Sequence, residues 1–413
     1  MRSTESPNRP NERGIVLIIV LVMIFALVTA VYAFTRRAII DTTIATNRLE
    51  AAEADALAKG GLRIAEMLVM VVRAKHQEGD ASGQNALDDD DRRGQDASAL
   101  PSAPGAADVD TLWQSIGQFP FELDEDHVLR IEIEDEGAKL NLNALVPASA
   151  APAADAGGTQ DEDDETDEDE DTSRSRESSD DGEGTEASEE AVEYLTEVLQ
   201  YVIDGMDSPP EDRNYDAAAI AENILDFLDG DGTAVNGRWE DEYYRRQDPP
   251  YVSWNQPLIS VDQIGLIEEV DPILLTELRH YVTVHPIGST AGINLNRAEP
   301  WVLKLVYSGP SGNMRLIDDR MVEDIYKLRD KGKKICDDGG ADPGCVPLAE
   351  VGNGDLANGS IYPETPLPAK PVVFRVVASA TVGDITRRFE AIYDTRPNPG
   401  PQLLSWRRLR GSD

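Results

Sequence analysis

Residues Ile15 to Phe34 read IVLIIVLVMIFALVTAVYAF, twenty residues without a charge. At 1.5 Å per residue such a helix spans roughly 30 Å, the thickness of a bilayer's hydrocarbon core. A helix buried in a soluble core would be expected to show a polar stripe, and none occurs here. The run is too long for the apolar part of a secretory signal peptide, and no Ala-x-Ala cleavage site follows it. The segment therefore reads as a single membrane span. Flanking charge does not orient it, because Arg2, Arg9 and Arg13 precede it and Arg36, Arg37 and Arg48 follow it. The short leading tail and the long following chain favour a cytoplasmic N-terminus with the bulk of the protein outside.

The helix does not stop at Phe34. Ala38, Ile39, Ile44, Leu49, Ala52, Ala56, Leu57, Ile64, Ala65, Leu68, Val69 and Val72 recur at helical spacing, with Asp41, Arg48, Glu53, Asp55, Lys59 and Arg63 between them. No Pro lies between Gly14 and Leu100. One long helix is predicted, apolar all round at first and amphipathic later, ending near His76 where Glu78-Gly79-Asp80 begins a polar stretch. Gly60-Gly61 is its weak point, costing about 1 kcal/mol per Gly relative to Ala.

Charge excludes several functions. The 413 residues hold 38 Lys+Arg against 78 Asp+Glu, a net charge of −40. Phosphate-backbone binding requires clustered positive charge, so a general nucleic-acid binder is disfavoured. Two Cys and four His rule out a disulfide scaffold or a Cys-rich zinc protein. His76, His127, His280 and His285 make no ligand motif, and no Gly-x-Ser-x-Gly, P-loop, dinucleotide fingerprint or Cys-x-x-Cys is present. The chain reads as a non-enzyme with no small-molecule substrate.

The stretch from Asp155 to Glu190 carries 18 acids and two Arg, Arg174 and Arg176. It has too few large apolar residues to bury a core and reads as a solvated spacer, the alternative being a calcium sponge or a lure for a basic partner. Val128 to Glu134 alternates like a half-buried strand. Residues 191–355 turn helical, with VEYLTEVLQYVID, AAAIAENILDFLD, ISVDQIGLIEEV, ILLTELRHYVTV, PWVLKLVY and RMVEDIYKLRD. Pro371 to Tyr393 returns to alternation as a hairpin around Gly383-Asp384.

A family resemblance rests on several blocks. The polar leader ends in Arg13-Gly14 directly before the apolar helix, as in prepilins. Asp135-Glu-Gly-Ala-Lys-Leu-Asn-Leu-Asn-Ala-Leu145 follows the first strand. Pro249-Pro-Tyr251, Asn255-Gln-Pro-Leu258 and Ser260-Val-Asp262 form a second block. Tyr281-Val-Thr-Val284 and Ile293-Asn-Leu-Asn296, with Ala298, Pro300 and Leu303, form a third, and Phe374 to Gly383 a fourth. In this order they resemble the minor pseudopilins of type II secretion, the general secretion pathway protein K family.

The resemblance implies an α+β fold: a pilin-like N-terminal helix on an antiparallel sheet, with a large α-helical, SAM-like insertion. It divides the chain into a leader (1–14), the long helix (15–78), a flexible linker (79–108), a first pilin-like segment (109–147), the acidic tract (148–190), the insertion (191–365), a second pilin-like segment with the C-terminal strands (366–396) and a tail (397–413). It implies peptidase cleavage between Gly14 and Ile15 and methylation of the new N-terminus. The fifth mature position, Glu in most prepilins, is Ile19. Lack of that carboxylate fits a subunit at a filament's end. The implied partners are the other minor pseudopilins, the major pseudopilin, the prepilin peptidase and the bacterial inner membrane, with the C-terminal domain periplasmic and no nucleic acid. The alternative is a membrane-anchored DNA-binding or DNA-uptake protein, because Ile293-Asn-Leu-Asn-Arg-Ala298 before a helical Trp301–Tyr307 also resembles the opening of helix-hairpin-helix units. Ser308 to Gly312 departs from their Gly-x-Gly hairpin.

One constellation suits a metal. Asp229, Asp231, Thr233 and Glu240 occupy positions one, three, five and twelve of a calcium loop, although its sixth position is Ala234 rather than Gly. Asp226, Asp241 and Glu242 offer further oxygens. The resemblance implies Ca²⁺ binding, with Asp226, Asp229 and Asp231 matching the family's Asp-x-x-Asp-x-Asp spacing. A plain Gly-Asp turn is the other reading. Cys336 and Cys345 flank an eight-residue loop. In an oxidising compartment they would close it as a disulfide, stabilising by up to about 3 kcal/mol, and elsewhere they would stay free thiols.

Overall fold

The computed structural model describes residues 12–85, 113–118, 120–146, 183–206, 214–230, 241–310, 312–337, 344–354, 356, 360–365, 367 and 370–410. Most of the predicted leader, linker and acidic tract lies outside them, as do the loop residues Asp231, Thr233 and Glu240.

Helix α1 runs from Glu12 to Asn85, 74 residues. It continues past the predicted stop near His76. A Gly in a helix costs about 1 kcal/mol but does not forbid it, and the next Pro is Pro101. Every residue from Val16 to Leu49 is exposed, and burial begins at Ala54. From there Ala54, Ala58, Leu62, Ala65, Val69 and Val72 form one buried stripe.

That stripe lies on a five-stranded antiparallel sheet. Its strands are β1 (Phe121–Glu122), β2 (His127–Asp135), β10 (Val373–Val382), β11 (Ile385–Asp394) and β12 (Gln402–Leu409), side by side in that order. Leu129, Ile131 and Ile133 of β2 and Phe374, Val376, Ala378 and Ala380 of β10 face α1, together with Phe389, Ala391 and Tyr393 of β11. Small residues on both sides set a close approach. A Cβ at Gly61 would stand 2.9 Å from a methyl of Leu129 and 3.2 Å from Cβ of Ala378, whereas Gly60 faces open space. Trp113, in a short helical turn, closes the cluster edge-on to Phe374 at 5.4 Å. The β10–β11 hairpin turns on Gly383-Asp384, with Gly383 at φ +55° as two-residue turns require.

β12 corrects the expected tail. Residues 402–409 pair with β11 along its length, with a bulge between Ile392 and Tyr393. The LLSWRRL pattern is only partly apolar, so its strand character depends on β11 offering a free edge.

The inserted domain lies between β2 and β10 and has its own core. Helix α2 spans Glu183–Asp204, starting inside the stretch read as acidic tract. α3 (Ala217–Leu228) is capped by Asp216, which accepts from the amides of Ala218 and Ala219. α4 (Asp241–Tyr244), α5 (Pro272–Leu278), α6 (Pro300–Leu303) and α7 (Asp319–Asp330) follow. The domain is less helical than its periodicity suggested. Short strands β3 (Leu140–Asn141) and β4 (Val282–Thr283) pair in parallel, as do β7 (Lys334–Cys336) and β8 (Cys345–Pro347). β5 (Tyr307–Gly309) lies between β6 (Arg315–Leu316) and β9 (Ser360–Tyr362). The expected helix Trp301–Tyr307 is thus one turn followed by a strand. Where a helix-hairpin-helix unit would place a tight hairpin between two helices, β5 and β6 pair instead, and the next helix, α7, starts only at Asp319.

Two copies of the pattern Asn-Leu-Asn tie the irregular segments of this domain together, and the second also ties it to the sheet. Asn141 Oδ1 accepts from the Asn143 amide (3.1 Å), which turns Asn143 inward. Asn143 then donates to the carbonyls of Leu258 (2.9 Å) and Val284 (2.8 Å) and accepts from the Leu258 amide (2.8 Å). Asn294 repeats the turn with Asn296, which brackets Ile335 through both its amide (2.7 Å) and its carbonyl (2.9 Å). Asn294 also donates to Asp135 at the end of β2 (3.0 Å). Each side-chain amide satisfies buried backbone groups that the irregular segments would otherwise leave unpaired.

Candidate functional site

The placement of head and stalk is set by contacts at the two ends of the sheet. At one end His127 faces Glu53 of α1 (3.7 Å), and the Gly383 turn lies against Glu50. At the other, Arg73 of α1 hydrogen-bonds Asn398. The inserted domain attaches at this second end, through Asp135, Asn294 and the β3–β4 pair. It therefore sits on the side of the sheet farthest from the apolar segment. About 20 helical residues separate Phe34 from Ala54, roughly 30 Å of exposed stalk. α1 is the one described helix long and apolar enough to cross a membrane. Gly14 and Ile15 fall in its first turn.

A ladder of alternating charges locks the head to the sheet. On the face opposite α1, Glu134 pairs with Arg375 (3.0 Å), and Arg375 with Glu390 (2.6 Å). Glu390 pairs with Arg407 (2.8 Å), Arg407 with Asp262 of the inserted domain, and Asp262 with Arg279 (2.5 Å). The rungs cross β2, β10, β11 and β12 in turn. Glu390 is the buried centre, its side chain 6% exposed. Burial alone would raise its pKa, but the guanidinium groups of Arg375 and Arg407 hold it below the usual carboxylate range. Sequence reasoning missed this ladder. Each strand shows charged residues at positions facing away from the core, but pairing them requires the register.

A buried polar cluster lies at the junction. Asp135 accepts from the Gly137 amide (2.9 Å) and from Asn294, and burial pushes its carboxyl up to about 6. Glu136 takes a hydrogen bond from the Thr283 hydroxyl. His285 is buried beside them, and burial lowers its pKa.

Of the predicted metal residues, the structure describes Asp226, Asp229 and Asp241. Asp226 is buried in the last turn of α3, Asp229 is the C-cap, and Asp241 opens α4. Ser253 ties the two flanks: its amide donates to Asp241 Oδ1 (2.9 Å) and its hydroxyl to the Asp226 carbonyl (3.5 Å). The Asn255 amide donates to the Phe227 carbonyl (3.1 Å). Asp241 also holds Arg245 (2.7 Å), and the Ser253 amide and Arg245 together lower its pKa. The described residues on either side of 231–240 are thereby tied to one another. Among the described residues no three carboxylate, imidazole or thiol groups converge as a complete metal site. The donors are oxygens, the class calcium prefers. Cys336 and Cys345 are joined as a disulfide across β7 and β8, with Cα atoms 5.8 Å apart.

Comparison with known proteins bears on the inserted domain first. Residues 138–287 match the family model described as "Type II secretion system (T2SS), protein K". This segment, about a third of the chain, is similar to that family. It covers β3, the Asn141–Asn143 clamp, α2 to α5 and β4. Type II secretion system protein K of Aeromonas hydrophila is 26% identical over 205 residues, 49% of this chain and 56% of that protein. Protein K of Klebsiella pneumoniae is 28% identical over 110 residues, 27% of this chain and 32% of that one. The chain thus spans about half, or less, of the length of these curated relatives. A chain of the solved GspK-GspI-GspJ complex of the enterotoxigenic Escherichia coli type 2 secretion system is similar with a TM-score of 0.41 and 19% identity, over 71% of this chain and 83% of that chain.

Proposed function

We propose that the chain is a membrane-anchored minor pseudopilin of type II secretion. It caps the distal tip of a periplasmic filament and helps start filament assembly for export of folded proteins across the outer membrane. One geometric observation carries this reading. The inserted domain, which contains the segment similar to protein K, sits at the end of the sheet opposite the apolar segment, so the head lies beyond an exposed helical stalk. Ile15–Phe34 would span the inner membrane, and α1 would pack sideways against the helices of the other minor pseudopilins and of the major one. Apolar burial supplies about 25 cal/mol per Å². The inserted domain widens the distal end, which opposes stacking of a further subunit above it. No bond is made or broken in this role.

The peptidase would cut between Gly14 and Ile15, leaving Ile19 where most prepilins carry Glu. Mass spectrometry of the mature N-terminus is expected to show methylated Ile15, and an intact Met1 would identify an ordinary anchor. Co-expression of the full chain with the host's other minor pseudopilins, followed by sedimentation in detergent, is expected to give a stoichiometric complex. A chain that sediments alone in that mixture would refute the tip assignment.

Ca²⁺ would be held by the loop that Asp226, Asp229 and Asp241 flank, with Asp231, Thr233 and Glu240 supplying the remaining oxygens. The tied residues on either side of 231–240 and the all-oxygen donor set support this. The cation would tie α3 to α4 and stiffen the head. Millimolar Ca²⁺ is expected to raise the melting temperature, and chelator or Asp231→Ala to remove the increment. A melting curve indifferent to both calcium and chelator would eliminate the site.

A further inference from the structure

The sheet ends on β12, and the outer edge of this strand is unpaired among the described residues. An unpaired edge exposes a row of backbone N–H and C=O groups that can template another strand. The chemistry around this edge is opposite to that of the whole protein. Residues 395–410 contain Arg396, Arg407, Arg408 and Arg410 and no acid, in a chain of net charge −40. Arg407 is spent on Glu390 and Asp262. Arg408 and Arg410 are exposed, and no described acid pairs with either. Trp406 pairs across the ladder with Ala391, and Arg408 with Phe389, so both stand on the α1 face of the sheet. There Trp406 stacks on Phe389 at 5.7 Å, and Lys59 of α1 lies over both rings at 5.4 and 5.9 Å. Trp406 is still 55% exposed and Leu403 is 47% exposed.

We propose that the open edge of β12 is a docking site for an extended acidic segment of a different protein, which adds antiparallel to the sheet as a sixth strand. Backbone pairing would supply the attachment. Acidic side chains opposite Arg408 and Arg410, and an apolar one opposite Trp406, would supply the choice of partner. Charged residues on an edge strand also guard against unwanted self-pairing, and a row of arginines does so while leaving an acidic strand acceptable. A second copy of this chain is disfavoured by the −40 charge that each copy carries. A nucleic acid would use the arginines but not the backbone edge. This inference rests on the pilin-like sheet and does not depend on the secretion reading.

The test uses the full chain in detergent micelles and a fluorescein-labelled peptide, Glu-Thr-Glu-Thr-Val-Thr-Val-Thr, in anisotropy and hydrogen-exchange measurements. Binding is expected to protect amides of residues 402–409 and to weaken at least tenfold in Arg408→Glu/Arg410→Glu. The peptide with Lys in place of Glu, and the Glu peptide with alternate amides N-methylated, are expected not to bind. Equal binding of the N-methylated peptide, or of a thymidine oligonucleotide, would reduce the site to a charge patch and overturn strand addition. Absence of binding by the Glu peptide, or protection elsewhere than β12, would overturn the proposal outright.

Discussion

Replacing Asn143 by Ala removes one side chain and leaves three buried backbone groups without their partner: the Leu258 amide, the Leu258 carbonyl and the Val284 carbonyl. An orphaned buried polar group costs about 1–3 kcal/mol, so with three of them the variant should lose about 3–9 kcal/mol in all. That is a large share of the ~5–15 kcal/mol by which ordinary domains are stable. The loss should appear in the inserted domain, where all three partners lie. Urea titration of the full chain in detergent, read by tryptophan fluorescence, gives the size. Hydrogen exchange at Leu258 gives the place. Asn143→Asp provides a sharper comparison. Its carboxylate can still accept from the Leu258 amide, but an oxygen now faces the two carbonyls that the amide nitrogen served. At neutral pH it should be as damaging as Ala. On acidification the carboxyl protonates and can donate again, so part of the stability should return as pH falls. A midpoint within about 0.5 kcal/mol of wild type for Asn143→Ala, well below the ~1 kcal/mol cost of even one orphaned group, would refute the clamp. So would an Asp variant indistinguishable from wild type at pH 7.

Three further outcomes follow from the packing. Glu390→Ala should destabilise by about 3 kcal/mol because it removes the buried partner shared by Arg375 and Arg407 and leaves Arg375 only the half-exposed Glu134, whereas replacing both as Arg375→Met/Glu390→Leu should cost less than the single change; a double variant worse than the sum of its singles would count against the ladder. Gly60→Ala should stabilise by up to about 1 kcal/mol, while Gly61→Ala should destabilise because its Cβ meets Leu129 and Ala378; chemical denaturation showing the same sign for both would contradict the close helix–sheet approach. Asp135 has a raised folded pKa of about 6, so the stability it contributes is complete below the unfolded value near 3.8 and is lost as pH rises through 6, by about 3 kcal/mol in all; this slope in the urea midpoint should vanish in Asp135→Asn.

How much was legible in the sequence depended on whether the signal was local. The spacing of apolar residues along α1, the alternation of Val128–Glu134 and the hairpin around Gly383 are patterns within one element, and they could be read directly. The Asn-Leu-Asn blocks were visible as motifs, but their partners Leu258, Val284 and Ile335 lie 39 to 141 residues away in sequence. Glu390 and Arg407 were visible only as charges. β12 lacked a clean alternation of its own. The weak points Gly60 and Gly61 looked equivalent, and only packing separated them.

By itself the sequence determined the greasy rod, the acid excess and the order of the pieces, because hydrophobic periodicity and net charge are properties of the chain. The tertiary structure decided which end of the sheet carries the head, which charges neutralise one another, and where a basic edge stays open in an acidic molecule. Those outcomes depend on register and on contacts between distant segments, which one-dimensional periodicity does not encode.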